Sequence, residues 1–160
     1  MADVHDKATR SRNMAAIRGA DTKPEMMIRR GLHARGFRFR LHDRTLPGRP
    51  DMIFPKYRAV LFVHGCFWHG HNCHLFKWPG TREEFWREKI GANVVRDRAS
   101  TEALREAGWR VGVVWECALK GRQRHAADEV LEAVSEWLHG TGDGFELEGV
   151  PDSHAAEAAS

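Results

Sequence analysis

The residues best suited to chemistry lie in one short stretch, residues 63–74, with the sequence V-H-G-C-F-W-H-G-H-N-C-H. It contains four histidines and two cysteines, side chains that often surround metal ions in proteins. The chain's third cysteine is Cys117. An odd number of cysteines, in a chain whose N-terminus lacks the basic and apolar pattern of a secretion signal, argues against a disulfide framework. The stretch is therefore a candidate metal-binding loop.

Tetrahedral zinc requires four nitrogen or sulfur ligands, and the chain offers a closed Cys₃His set. The candidate ligands are Cys66, His71, Cys73 and Cys117. They can meet if the strands preceding the loop and Cys117 run in the same direction. Two alternatives stay open: His69 or His74 could replace His71, or the cysteines could be small buried apolar residues. A glycine-rich loop of this kind needs such a metal to keep its shape.

A second metal site is predicted where Asp51 begins one strand of a hairpin and Val63 and His64 end the next. Magnesium prefers oxygen ligands, so the Asp51 carboxylate and the Val63 main-chain carbonyl could hold it beside a phosphate. The candidates for proton transfer are His64 and His69. Glu25 and Asp97 could orient bound water. The alternative is a solvated aspartate with structural or zinc-bound histidines.

Aromatic side chains in and near the loop suggest contacts with bases. Phe67 and Trp68 are adjacent in a polar loop and cannot both face one core, and Trp86 lies on the helix that follows. Together they could form a wedge that stacks on bases, although core packing remains open for each ring. Lys89 and Asn93, one turn apart on the same helix, could contact base edges.

Charge is distributed unevenly along the chain. Residues 1–58 hold 14 lysines and arginines against 6 acidic residues, residues 59–139 are balanced, and residues 140–160 hold 5 acidic residues and no basic ones. A basic N-terminal third suits a polyanion such as DNA, and a solvated basic face is the alternative. Within residues 1–20, Met14 and Ile17 share one face of a short predicted helix, which could lie in a DNA groove or pack on the body.

The remaining sequence predicts the elements that position these residues. The predicted elements are a helix from Thr22 to about Arg35, strands at 37–41, 52–54, 59–63 and 109–115, a helix from a capping box at Thr81 to Gly108, and an amphipathic helix through residues 131–138. The five apolar residues at 59–63 indicate a strand buried on both faces. The order predicts one α/β domain, residues 1–139, with a central mixed sheet flanked by helices, followed by a flexible acidic tail at 140–160.

Composition supports this class. The chain has 160 residues, 42% hydrophobic and 29% charged, which is the size and balance of one globular domain. No apolar run approaches the length of a membrane span. We expect a cytoplasmic protein with no membrane partner.

Several motifs together resemble the very-short-patch repair endonucleases, the Vsr family. They are M-A-D-V-H-D-K-A-T-R-S-R-N-M, L-P-G-R-P-D ending at Asp51, H-G-C-F-W-H-G-H-N-C with L-F-K-W-P, T-R-E-E-F-W-R-E-K-I-G-A-N-V-V-R-D-R, and G-W-R-V-G-V-V-W-E-C-A-L. The resemblance covers about residues 1–139. It implies a restriction-endonuclease-like fold and a magnesium-dependent nick in one strand, 5′ of the thymine in a T:G mismatch. Such mismatches arise from deamination of 5-methylcytosine, so a functional link to a cytosine-5 DNA methyltransferase is also implied.

The resemblance also implies roles for particular residues. It places magnesium at Asp51 and Val63, the general base at His69, supporting groups at His64, Glu25 and Asp97, structural zinc at Cys66, His71, Cys73 and Cys117, the wedge at Phe67, Trp68 and Trp86, and the groove-inserting arm at Met14 and Ile17. Val63 stands where relatives carry threonine, and His64 takes the place of the usual lysine of restriction-type sites. We expect a monomer acting at the nucleoid. The rival hypotheses are a zinc-organised DNA-binding module without catalysis and another metal-dependent nuclease.

Overall fold

The computed structural model describes residues 22–150, in which a five-stranded sheet is flanked by three helices. The helices are α1 (Lys23–Ala34), α2 (Glu83–Glu106) and α3 (Ala127–His139). The strands are β1 (Arg40–Leu41), β2 (Met52–Phe54), β3 (Ala59–His64), β4 (Arg110–Trp115) and β5 (Gly144–Leu147). Within residues 22–150 no helix combines the length and the apolar character that a membrane span requires.

The sheet is mixed, and its topology brings distant parts of the chain to one edge. The strands follow one another in the order β1 to β5; β1, β2 and β3 are antiparallel, whereas β3, β4 and β5 are parallel. The carboxyl ends of β3 and β4 therefore lie side by side, with His64 opposite Trp115. Because β2 runs against β3, the start of β2 lies at the same edge. The loop after β3, the segment after β4 and Asp51 are thus brought together.

Strand β3 is buried on both faces, as its apolar sequence predicts. Leu61 and Val63 pack in a core with residues of α1 and α3, whereas Val60 and Phe62 pack in a second core with Leu104 of α2. This alternation is the period-two geometry of a strand. The protein is therefore a three-layer α/β structure with the sheet in the middle.

Helix α1 begins and ends as predicted. The Thr22 hydroxyl accepts a hydrogen bond from the Glu25 amide at 3.4 Å, and Gly36 has a φ of +94° after the last turn. The predicted strand at residues 37–41 shortens to β1, because its partner β2 has only three residues and pairs with Arg40 and Leu41 alone.

The prediction of a second capping box at Thr81 is wrong. The residue that precedes α2 is Arg82, with a φ of +56° and no side-chain hydrogen bond to the first turn. Its guanidinium instead lies over the Phe85 ring, 4.3 Å from the centroid. Helix α2 is continuous over 24 residues and includes Gly91.

The expected flexible tail from Gly140 onward also needs correction. Residues 144–147 form β5, which pairs with β4, and the Phe145 ring stacks on Trp137 of α3 with centroids 5.4 Å apart. The acidic and glycine-rich composition concealed a short edge strand whose apolar residues alternate with glutamates. The predicted arm at residues 1–20, with Met14 and Ile17, and the last residues of the predicted tail, 151–160, lie outside the described residues. The domain division at residue 139 stays a prediction.

Candidate active site and metal centre

Asp51 and Val63 meet at the carboxyl end of β3, as the hairpin prediction requires. The Asp51 carboxylate accepts a hydrogen bond from the Val63 amide, with Oδ2 2.6 Å from the nitrogen. Burial raises the pKa of Asp51, and the nearby Glu25 carboxylate raises it further against the effect of the Val63 hydrogen bond. A divalent cation beside this carboxylate would replace its lost hydration. The chemistry of the site therefore fits a cation with oxygen ligands.

His42 belongs to this site although the sequence analysis did not identify it. Its Nε2 atom lies 2.9 Å from Glu25 Oε2 and 3.8 Å from Asp51 Oδ1. Glu25 is fully buried at the start of α1 and also pairs with Arg29, whose Nη1 is 3.2 Å away. His42 lies just beyond β1, where its amide donates to the Asp51 carbonyl. No motif marks it, because only the pairing of β1 with β2 brings it to Asp51.

The second group of catalytic candidates is formed by His64, His69 and Asp97. The two imidazole rings stack with centroids 3.8 Å apart and planes within 6°. His69 Nδ1 lies 2.6 Å from Asp97 Oδ2, which leaves Nε2 as the ring nitrogen that can exchange a proton with a substrate. The sequence predicts that Asp97 orients bound water, whereas the structure places its carboxylate against His69. This is the arrangement of an imidazole oriented by a carboxylate.

His64 differs from His69 in its surroundings. Burial, assisted by the neighbouring His69, lowers the pKa of His64 to about 3. The His64 ring is therefore neutral near pH 7 and poorly suited to donate a proton there. Its Nδ1 atom is buried and has no hydrogen-bond partner among residues 22–150.

The four predicted zinc ligands come together at the neighbouring position of the same edge. One ligand atom from each of Cys66, His71, Cys73 and Cys117 lies within 4.8 Å of the others. His71 presents Nδ1, which is 3.7 Å from Cys117 Sγ. Burial raises the pKa of both Cys66 and Cys117, so a cation is needed to hold them as thiolates. The donor set fits a closed tetrahedral metal site.

The two alternative histidine ligands lie outside this set. His69 bonds to Asp97, and His74 Nδ1 lies 3.0 Å from the side-chain oxygen of Gln123. His71 is thus the histidine that faces the three thiols.

Phe67, Trp68 and Trp86 form one aromatic cluster. The ring centroids lie 5.1 Å apart for Phe67 and Trp68, 5.5 Å for Phe67 and Trp86, and 5.8 Å for Trp68 and Trp86. All three rings are partly exposed, and none belongs to either buried core of residues 22–150. Phe76 stacks on Phe67 and extends the cluster. The rings pack on one another and present an apolar surface beside the candidate catalytic groups.

Helix α2 supports this loop from the side. The Asn93 side-chain nitrogen donates to the Trp68 carbonyl at 2.9 Å. Lys89, one turn earlier, is exposed. The structure therefore gives Asn93 a role in holding the loop that the sequence analysis did not anticipate, beside the predicted contact with bases.

A mixed sheet with a carboxylate-bearing hairpin at one edge and helices on both faces defines a restriction-endonuclease-like protein. Comparison with known proteins agrees with this class. A family model described as DNA mismatch endonuclease Vsr matches residues 2–75. The chain is 53% identical over 148 residues to the DNA mismatch endonuclease Vsr of Escherichia coli K12, covering 92% of this chain and 95% of that protein.

Two further relatives are nicking enzymes. The type II nicking enzyme V.XorIIP of Xanthomonas oryzae is 49% identical, with 72% of this chain and 89% of that protein covered. The type II nicking enzyme V.NmeAIP of Neisseria meningitidis is 42% identical, with 76% and 87% covered. The chain therefore belongs to the Vsr family of DNA mismatch endonucleases, and it is an endonuclease that acts on phosphodiester bonds.

Proposed function

We propose that this chain nicks one strand of double-stranded DNA 5′ of the thymine in a T:G mismatch, in a reaction that depends on magnesium. The observation that carries the proposal is the approach of the Asp51 carboxylate to the end of β3, where the His69–Asp97 pair follows. A buried carboxylate and an oriented imidazole at one sheet edge are the parts that metal-assisted phosphodiester hydrolysis requires.

The chain's own groups divide the work of the reaction. Asp51 and the Val63 carbonyl would hold magnesium, which when bound polarises the phosphodiester and stabilises the leaving oxygen. His69 accepts the proton of the attacking water at Nε2, and Asp97 holds the ring and stabilises its charged form. Glu25 and His42 keep the Asp51 carboxylate in position through the contacts described above. Glu25 would orient bound water, and His64 supports the His69 ring by stacking on it.

Mismatch preference follows from the aromatic cluster. A T:G wobble pair stacks less well than a Watson–Crick pair, so inserting Phe67, Trp68 and Trp86 beside it costs less than elsewhere, where unstacking costs about a few kcal/mol. Base–aromatic stacking returns roughly 1–3 kcal/mol per ring. The mismatch is thus selected through its deformability, while Lys89 and Asn93 contact flanking base edges. Met14 and Ile17 of the N-terminal arm would enter the groove.

The cysteine cluster has a structural role in this proposal. Zinc bound by Cys66, His71, Cys73 and Cys117 fixes the loop that carries the aromatic rings. Its role is structural and not catalytic, because a closed four-ligand site leaves no open position for a substrate or water. The relatives named as nicking enzymes support cleavage of a single strand. The proposed partners are T:G mismatched DNA and, functionally, a cytosine-5 DNA methyltransferase, with the protein acting as a monomer at the nucleoid.

A nicking assay tests the proposal. Labelled duplexes with T:G, T:A or an RNA strand are incubated with the chain and magnesium or EDTA. We expect a single nick 5′ of the thymine, only in the T:G duplex and only with magnesium. Asp51→Ala should abolish the nick while mismatch binding persists. Equal cleavage of matched or RNA-containing duplexes would instead identify a metal-dependent nuclease of different specificity.

A further inference from the structure

The segment that includes β5 and residues 148–150 contacts the cysteine cluster directly. Glu148 Oε2 lies 2.8 Å from His71 Nε2, the ring nitrogen opposite the one that faces the thiols. A histidine that binds a metal commonly donates its other N–H to a carboxylate, which fixes the tautomer and the ring orientation. Glu148 stands in that position.

The next residue contacts a second ligand. The Gly149 amide donates a hydrogen bond to Cys117 Sγ at 3.2 Å. A Cβ atom at Gly149 would lie 2.6 Å from the Cys117 carbonyl and 2.8 Å from the Gln123 carbonyl. Both neighbours are main-chain atoms that cannot rotate away. Only glycine therefore allows this close approach of the segment to the cysteine.

β5 also holds an aromatic ring against the same histidine. Trp115, at the end of β4, stacks on His71 with centroids 4.2 Å apart and planes within 11°. Its Nε1 donates to Glu146 Oε1 at 2.7 Å. The His71 ring is thus fixed by a stacked indole on one face and by Glu148 at its outer nitrogen.

Hydrogen bonds to its own main chain fix the segment itself. The Val150 amide donates to the Gln123 carbonyl at 2.7 Å, and His125 Nε2 lies 2.8 Å from the Glu148 carbonyl. The segment is therefore attached to the turn between β4 and α3, on both sides of Gly149.

We propose that residues 146–149 are the outer hydrogen-bonding shell of the metal centre, so that retention of zinc depends on docking of the C-terminal strand. The inference rests on the proposed zinc site. Glu148 orients His71, Gly149 stabilises the Cys117 thiolate, and Glu146 positions Trp115. Metal binding and docking of residues 146–149 then stabilise each other. If the metal leaves, His71 and Cys117 can move away from Glu148 and Gly149, and if these two hydrogen bonds are lost, His71 and Cys117 can move away from the metal.

The test measures zinc release from the full chain. Wild-type protein and variants are purified, their zinc content is determined by elemental analysis, and transfer of zinc to a coloured chelator is followed in time. The variants are Glu148→Ala, Glu148→Gln and Gly149→Ala. The matched controls are Glu136→Ala, an exposed carboxylate on α3, and Gly142→Ala, whose added Cβ would lie no closer than 3.8 Å to any neighbour.

We expect Glu148→Ala and Gly149→Ala to release zinc roughly 10–100 times faster, the usual effect of losing an outer hydrogen-bond partner. Glu148→Gln should lie between Glu148→Ala and wild type, since its amide oxygen still accepts a hydrogen bond. Both controls should match wild type. In cobalt-substituted protein, Glu148→Ala should shift the visible absorption bands, which report ligand geometry.

The outcomes separate this inference from the zinc site itself. Wild-type release rates and unshifted cobalt bands in Glu148→Ala and Gly149→Ala, from protein that contains zinc, would overturn the outer-shell role alone. Wild-type protein that binds no zinc would overturn the zinc site and this inference together.

Discussion

At the scale of single residues, the candidate site depends on carboxylates that orient imidazoles. Asp97 bonds to His69 across the gap between α2 and the loop after β3. Asp97→Asn should lower kcat for nicking roughly 10²–10⁴-fold with little change in KM, because the ring loses the charge that stabilises its protonated form. Steady-state nicking assays over a range of DNA concentrations measure both constants, with the exposed Asp143→Asn as the control. Nicking at near wild-type rate would exclude a role for the Asp97 charge in stabilising the protonated His69 ring.

His42 provides a second test at this scale. It lies between the buried Glu25 and Asp51 carboxylates, so His42→Leu should remove the imidazole that contacts both, while Arg29 and the Val63 amide still donate to Glu25 and Asp51. We expect the magnesium concentration for half-maximal nicking to rise roughly 10–100-fold. His42→Gln, whose amide can still donate, should restore much of the response. An unchanged magnesium dependence in both variants would exclude a positioning role for His42.

At the scale of elements, the loop after β3 is held against α2. Gly70 has a φ of +64°, and a Cβ there would lie 3.0 Å from methyl groups of Ile90 and Val94. Gly70→Ala should lower the free energy of unfolding by about 1–3 kcal/mol, through backbone strain and overpacking. Urea denaturation measures the change, and Gly80→Ala, whose Cβ meets no atom within 4 Å, is the control. Equal stability of the two variants would contradict tight docking of the loop.

The aromatic cluster makes a separate prediction at the same scale. Trp68→Ala should reduce affinity for a T:G duplex more than affinity for a T:A duplex. The indole gains stacking energy only where it inserts between bases, and the proposed place of insertion is beside the mismatch. Losing one ring corresponds to roughly 1–3 kcal/mol, or about 5–150-fold in binding to the mismatch. Fluorescence anisotropy at fixed salt measures both affinities. Equal losses on both duplexes would count against insertion.

At the scale of the whole molecule, the cysteine cluster links the ends of β3 and β4 with the C-terminal strand. If zinc binds the folded state alone, free zinc at about 100 times its Kd adds roughly 2.7 kcal/mol of stability, and chelation should lower Tm by about 5–10 °C. Differential scanning calorimetry with and without chelator measures this shift. Cys73→Ser should show the lower Tm in both conditions. If the chelator leaves the Tm of the wild-type protein unchanged, the metal does not stabilise the folded state.

The sequence by itself determined much of this protein. The apolar run at 59–63 predicted a strand buried on both faces, because a run of apolar side chains must be shielded from water. The spacing of Cys66, His71 and Cys73 predicted a metal-binding loop, because side chains this close in sequence can bind one metal ion. The motifs also indicated the Vsr family. The outlying candidate ligand, Cys117, was included because it follows a predicted strand that could lie parallel to the strand before the loop.

Only the tertiary structure decided which residues from distant parts of the chain meet. His42 reaches Glu25 and Asp51 through the pairing of β1 with β2, and Glu148 reaches His71 through the pairing of β5 with β4. Neither residue belongs to a motif, because β1 has only two residues and β5 has only four, too few for their alternation to stand out in an acidic, glycine-rich segment. Strand pairing depends on contacts across the whole sheet. The residues that surround His42 or Glu148 in the sequence therefore do not indicate which distant side chains they will meet.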